Sequence, residues 1–258
     1  MRHTLQLCYE DMSMIKRPGY NPDFTRLKVL WFISAAFLSA CGQSDDGTAP
    51  AGDQSNKLFS AVVEVFPANY FDEGYSELYT LIGHDSNGKN YTGTFEVRTG
   101  SAEIFNGSNA APVQTTLSYT TEVNEAQLPP VTIVLTQYFS TGQPLQYLGS
   151  VNDRSAVITT PQGQLYDIPS LIAREQSAQY GVYQGSDASL ESISWSAREI
   201  DADTYELEYR SLSTDSFGKI LSDETQIFGM GPDGSRVYWK FSAYVSSLDI
   251  TFNFTSVP

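Results

Sequence analysis

The chain has 258 residues and a formal net charge of −15, with 41% hydrophobic, 13% aromatic and 17% charged residues. That length can bury a full core in one large or two small domains, while so acidic a surface repels phosphate and excludes nucleic acid and bare anionic headgroups as partners. Sixteen Tyr, 14 Phe and 19 Gly, without long runs of Ala, Glu, Lys and Leu, favour sheet over helix.

Residues 1–26 hold Glu10, Asp11, Asp23, Pro18 and Pro22, none of which a signal peptide needs, so Leu27, Met12 and Met14 are alternative starts. Arg26 and Lys28 then flank a ten-residue apolar run, Val29 to Leu38. A bilayer core needs roughly 20 apolar residues, so this run predicts the helix of a signal peptide ending at residue 40 rather than a membrane span. Leu38-Ser39-Ala40-Cys41 places an aliphatic residue and two small ones before a cysteine.

That tetrapeptide resembles the lipobox of bacterial lipoproteins. The resemblance implies a diacylglycerol on the Cys41 thiol, cleavage between Ala40 and Cys41, and acylation, typically with palmitate, of the new Cys41 amino group. Several acyl chains on one residue meet the two-signal requirement for stable anchoring. Within that family an Asp after the cysteine favours inner-membrane retention; Gly42 stands here, which implies the outer membrane. The implied partners are the membrane and the lipoprotein-processing and sorting machinery. Cys8 and Cys41 are the only cysteines, so removing one and modifying the other leaves no disulfide.

Gly42 to Lys57 is small, polar and without apolar period, which predicts a flexible tether. Its reach is about 20–24 Å at 5–6 Å × √n. Residues 58–258 form the β-rich body. In "RVYWKFSAYV", Val237, Trp239, Phe241, Ala243 and Val245 fall on one face; "YELEYRSL" and "LDITFNF" alternate likewise. Turn chemistry at Asp85-Ser86-Asn87-Gly88, Pro161-Gln162-Gly163, Asp201-Ala202-Asp203, Asp215-Ser216-Phe217-Gly218 and Pro232-Asp233-Gly234 predicts five hairpins, with a meander of about five strands from Glu191 onward. Ser170 to Gly181 offers one short helix. "NEAQLPP", residues 124–130, is a candidate boundary between two subdomains. The fold expected is all-β: an antiparallel β-sandwich or a strongly curved meander sheet.

Catalytic motifs are scarce. His84 is the single histidine after Cys41 and sits at a predicted turn, and G-x-S-x-G, H-E-x-x-H, the P-loop and G-x-G-x-x-G are absent from the sequence. No catalytic residue and no cofactor is therefore assigned. Asp201 and Asp203, with Glu199 and Glu206 near, and Asp85 with Asn87, supply oxygens suited to a hard cation, but neither run matches an EF-hand and both fit hairpin turns. A carboxylate pair at roughly 5–9.5 Å is also what a glycan hydrolase uses. Tyr138, Phe139, Tyr147, Tyr166, Tyr180 and Tyr183 cluster in the middle third, either as core or as a ligand-stacking surface.

Residues 79–93 read Y-x-L-x-G-x-D-S-x-G-x-x-Y-T-G. With "FNGSNAAPVQTTLSY" and the C-terminal meander, this resembles uncharacterised β-rich bacterial lipoproteins, a resemblance that implies fold and address but no activity. The function expected is a lipid-anchored, non-catalytic binding or structural module of the cell envelope, touching an envelope glycan or protein; the alternatives are an Asp/Glu glycan hydrolase and a calcium-binding surface module. Solvent-facing middle-third tyrosines would mark a binder, and buried ones a structural body.

Overall fold

The computed structural model describes residues 62–257, apart from 124–125, 174, 202–203 and 232. The expected signal helix, Cys41 and the tether lie outside the described residues. Strands follow in the order β1 (Val63–Glu64), β2 (Ser76–Asp85), β3 (Asn90–Thr99), β4 (Glu103–Phe105), β5 (Ser108–Thr120), β6 (Glu122–Val123), β7 (Ala126–Gln127), β8 (Val131–Ser140) and β9 (Tyr147–Asn152). The second half holds β10 (Val157–Pro161), β11 (Leu171–Ile172), β12 (Ser177–Gly185), β13 (Leu190–Glu199), β14 (Tyr205–Thr214), β15 (Ile220–Met230), β16 (Arg236–Val245) and β17 (Ile250–Val257).

The main sheet runs β3-β2-β17-β16-β15-β14-β13-β12-β10-β9-β8-β5-β4, and every pairing is antiparallel. It does not end there. β3 also pairs β5, from Thr92↔Thr120 to Thr99↔Val113, so 12 strands close into a barrel with β4 hanging on the outside. The expected sandwich is thus replaced by an up-and-down barrel. Period-two alternation reports one buried face per strand, which both architectures share; the second pairing of β3 decides between them.

The lumen is wide. An eight-stranded barrel is just filled by side chains and diameter grows with strand number, so 12 strands need bulky fillers. Phe95 stacks on Trp239 at 4.2 Å between ring centroids, and Trp239 on Phe241 at 5.6 Å. Trp239 Nε1 donates to Gln226 Oε1 at 3.1 Å, which satisfies the buried indole. Outside, Phe105 of β4 stacks on Tyr138 at 4.0 Å and makes a small satellite core with Ala110 and Leu148.

Most outward positions are polar, with Leu78 and Ile82 on β2, Ile158 on β10 and Val182 on β12 as exposed apolar exceptions. Ser192, Ser194 and Ser196 on β13, Glu208 and Arg210 on β14, Asp223 and Thr225 on β15, and Lys240 and Ser242 on β16 alternate with the buried residues. A membrane-spanning barrel carries the opposite pattern, an apolar band facing out. Among the described residues no helix is long and apolar enough to cross a membrane.

Three local expectations are corrected. Ser170 to Gly181 contributes β11 and the start of β12 instead of a helix, because β12 fills the gap between β10 and β13 and pairing overrides local preference. Pro161 to Gly163 is not a tight hairpin: β10 and β12 pair, but the chain between them detours to place β11 against β1. Val237 is 64% exposed, since a bulge sets Met230 opposite Arg236 and Gly229 opposite Tyr238, turning Arg236 inward in its stead. Gly229 is required there, as a Cβ would lie 2.2 Å from the Tyr238 ring that covers it. The five strands expected from Glu191 onward are β13 to β17.

Across residues 124–130 the flanking strands β5 and β8 pair from Ala110↔Ser140 to Tyr119↔Val131 in the same sheet. The closing seam has its own requirement at Gly93, where a Cβ would stand 2.1 Å from Ser118 O. Gly93→Ala is expected to push β3 off β5 and lower stability by about 1–3 kcal/mol. Urea denaturation with an unchanged slope would read this as a loss of stability rather than of two-state folding.

Candidate functional site

The two ends of the barrel differ. At the entry end, β1 pairs β11 and the next residues fold over the lumen, with Tyr70 N bonded to Pro67 O at 3.1 Å and Asp72 N to Asn69 O at 2.9 Å. Thr99 Oγ1 holds this segment by donating to Tyr70 O at 2.6 Å. Phe66, Tyr70 and Phe71 form a stopper: Phe66 stacks on Tyr70 at 5.0 Å, and Phe71 tilts against Phe139 at 5.1 Å. The turn after β15 packs on it through Gly234, whose φ of 76° and 3.0 Å clearance from Phe66 O both demand glycine.

Beneath the stopper sits Arg236. Its side chain is 3% exposed, and Nη1 donates to Glu77 Oε2 at 3.0 Å. The guanidinium lies over Phe228 at 4.0 Å and Tyr70 at 4.6 Å. The Glu77 carboxylate also accepts from the Tyr75 hydroxyl and, at 3.1 Å, from the Tyr79 hydroxyl. Burial opposes the charge on Arg236, but Tyr70, Glu77, Tyr79 and Tyr209 outweigh it and hold the pKa above its ordinary value. Burial raises the pKa of Tyr70, Tyr75 and Tyr79, so all three phenols stay neutral, and Tyr75 and Tyr79 donate to Glu77. Arg236, Gln226, Gln137 and Tyr209 share with surrounding rings a cavity of about 40 Å³. That is room for a water or two.

The far end of the lumen is lined differently. Glu191 and Glu224, 1% and 2% exposed, point inward from β13 and β15. Between them β14 contributes Ser211 and Ser213, and β15 adds Ser222, all buried. Ser211 Oγ donates to Glu191 Oε1 at 2.8 Å.

A third cluster lies on the outer wall. Glu206 accepts from Arg198, from Tyr238 Oη at 2.7 Å and from Lys240 Nζ at 2.8 Å. Burial alone would raise its pKa, but hydrogen bonds from Lys240, Arg198 and Tyr238 bring it down to about 2.

Of the acids singled out in the sequence, Asp85 ends β2 at its hairpin and Asp201 follows β13, whereas Glu199 and Glu206 lie on β13 and β14. Asp85 Oδ1 accepts from Asn87 N at 2.9 Å and Lys89 N at 3.0 Å, and Oδ2 from Tyr91 Oη at 2.8 Å, which satisfies it within its hairpin. Asn87 and His84 are exposed, as is Asp201 beside β13; Asp203 lies outside the described residues. Among the described residues no three His, Cys, Asp or Glu side chains gather as a metal site. Of the middle-third rings, Phe139, Tyr147, Tyr180 and Tyr183 are buried in the lumen, Tyr138 lies under Phe105, and Tyr166 is exposed. The acids missed by sequence reasoning, Glu77, Glu191 and Glu224, share one legible mark: each falls on the buried phase of its strand. Comparisons with protein-family models, curated proteins and solved structures gave no match.

Two predictions follow from this geometry. Arg236→Met leaves the Glu77 carboxylate buried beside no cation and is expected to cost about 3–5 kcal/mol, most of which Arg236→Met with Glu77→Leu restores, as a double-mutant cycle in urea would show. Glu206 has a folded-state pKa below its unfolded value, so its stabilisation is complete above pH 4.5 and lost as pH falls toward about 2. Because Arg198 and Lys240 are 64% and 47% exposed, the effect is screened to about 1 kcal/mol. Glu206→Gln should flatten that acid limb in calorimetric melts.

Proposed function

We propose that this protein is a bacterial envelope lipoprotein, held at the outer membrane by acyl chains on Cys41, whose barrel serves as a non-catalytic structural module. The observation that carries this reading is the filled lumen within a mainly polar wall: Phe95, Trp239, Phe241 and Phe254 pack the interior, while polar side chains predominate on the outside. A wall on which polar side chains predominate differs from the continuous apolar band of a membrane-spanning barrel, so a lipid attached outside it is a fitting means of membrane attachment. Burial of Tyr147, Tyr180 and Tyr183 favours a structural body over a groove that stacks a glycan on exposed tyrosines. The chain enters at Val63 on the stoppered end, so the tether would leave from that end and turn the hairpins of residues 85–89, 186–189 and 215–219 away from the membrane. Those hairpins are where an envelope protein partner would meet it.

Labelling cells with radioactive palmitate tests the anchor. The wild-type chain is expected to take up label and fractionate with the outer membrane; Cys41→Ser should take up none and keep its leader. Equal labelling of both forms, or a wild-type protein with a free Cys41 thiol, overturns the reading.

A further inference from the structure

We propose that the far end of the lumen is a binding site for one hard divalent cation, Ca²⁺ in particular, held by Glu191, Glu224, Ser211, Ser213 and Ser222. The site is separate from the surface turns considered above and does not depend on the anchor.

Register brings these residues together. Ser213 stands opposite Glu191 on β13 and opposite Ser222 on β15, and Ser211 stands opposite Glu224. Neighbouring strands lie about 4.8 Å apart, so the five side chains occupy one patch of inner wall three strands wide. The 2.8 Å bond from Ser211 Oγ to Glu191 Oε1 shows that Glu191 leans across β14 toward the residue that faces Glu224. Leu212 and Asp223, the alternating neighbours, face outward, where Asp223 pairs with Arg210.

A second observation points to a ligand. Ser213 and Ser222 are 0% and 1% exposed, and neither Oγ has a hydrogen-bond partner. A buried hydroxyl that bonds to nothing is costly, and two facing one another beside two carboxylates define a place for a species that accepts lone pairs. A divalent cation does so. It also converts the repulsion between two carboxylates on one buried patch into attraction. The donor set is oxygen only, which disfavours zinc, and flexible in number, which suits Ca²⁺ with its 6–8 ligands at 2.3–2.6 Å better than octahedral Mg²⁺. Sequence inspection passed over the site because its ligands are brought together by strand pairing and not by a loop motif.

The test uses the full chain carrying Cys41→Ser, stripped with a chelator and dialysed against CaCl₂, MgCl₂ or NaCl. Elemental analysis is expected to find one Ca²⁺ per chain, and Ca²⁺ at a hundredfold excess over Kd should raise Tm by about 5–10 °C, with Mg²⁺ doing less. Glu191→Gln and Glu224→Gln should each abolish both effects, and Ser213→Ala should weaken binding without unfolding the barrel. If the Gln variants fail to fold, the wild-type stoichiometry and Ser213→Ala decide the matter. The proposal is overturned if the wild type binds no Ca²⁺, if Ca²⁺ shifts both Gln variants as it shifts the wild type, or if stability simply falls as pH rises with or without the ion, the mark of a proton shared by the two carboxyls.

Discussion

Pairing of β3 with both β2 and β5 is the constraint on which the rest of the molecule depends. It removes both edges of the 12-strand ring, so among the described residues free edges are left only on short strands such as β4, β1 and β11. It also creates a lumen broader than aliphatic side chains can fill. The abundance of Tyr, Phe and Trp, the stack of Phe95, Trp239 and Phe241, and the folding of Phe66, Tyr70 and Phe71 over the entry end all answer that one geometric demand. Where the ring would clash with itself, glycines at 93 and 229 let a neighbouring backbone or ring come close.

Within the filled lumen, charge appears only where geometry gives it company. Arg236 is enclosed by Glu77, by the faces of Tyr70 and Phe228 and by phenols that burial keeps neutral. Its inward turn is a product of the bulge opposite Gly229, so one extra residue in a strand converts a surface arginine into the buried centre of the stoppered end. At the opposite end the same inner wall changes character to serine and glutamate. A barrel with an apolar, aromatic middle and two distinct polar ends is therefore polarised along its axis, and on the proposed anchoring that axis points away from the membrane.

Two hairpins illustrate how closely local sequence governs local form. Asp85 and Asp215 each open a D-S-x-G-K turn, and each accepts backbone N–H groups two and four residues on, at 2.9–3.0 Å. The residue at the tip differs, Asn87 in one and a 94% exposed Phe217 in the other, without any change in those bonds. Turn type is thus decided by the Asp and Gly, whereas the tip residue is left to meet whatever lies outside.

Most strand identities, the antiparallel meander after Glu191 and most hairpin positions were determined by the sequence, because alternation and turn residues act over a few positions of chain. The lipobox resemblance is of the same local kind. Barrel closure, the strand at Ser177–Gly185, the inward Arg236, and the register that sets Glu191 and Glu224 on either side of Ser211 and Ser213 were decided only by the tertiary structure. Each depends on which strands pair and in what register, and that choice is made by residues distant in sequence competing for the same hydrogen bonds and the same lumen, a competition no short window of sequence records.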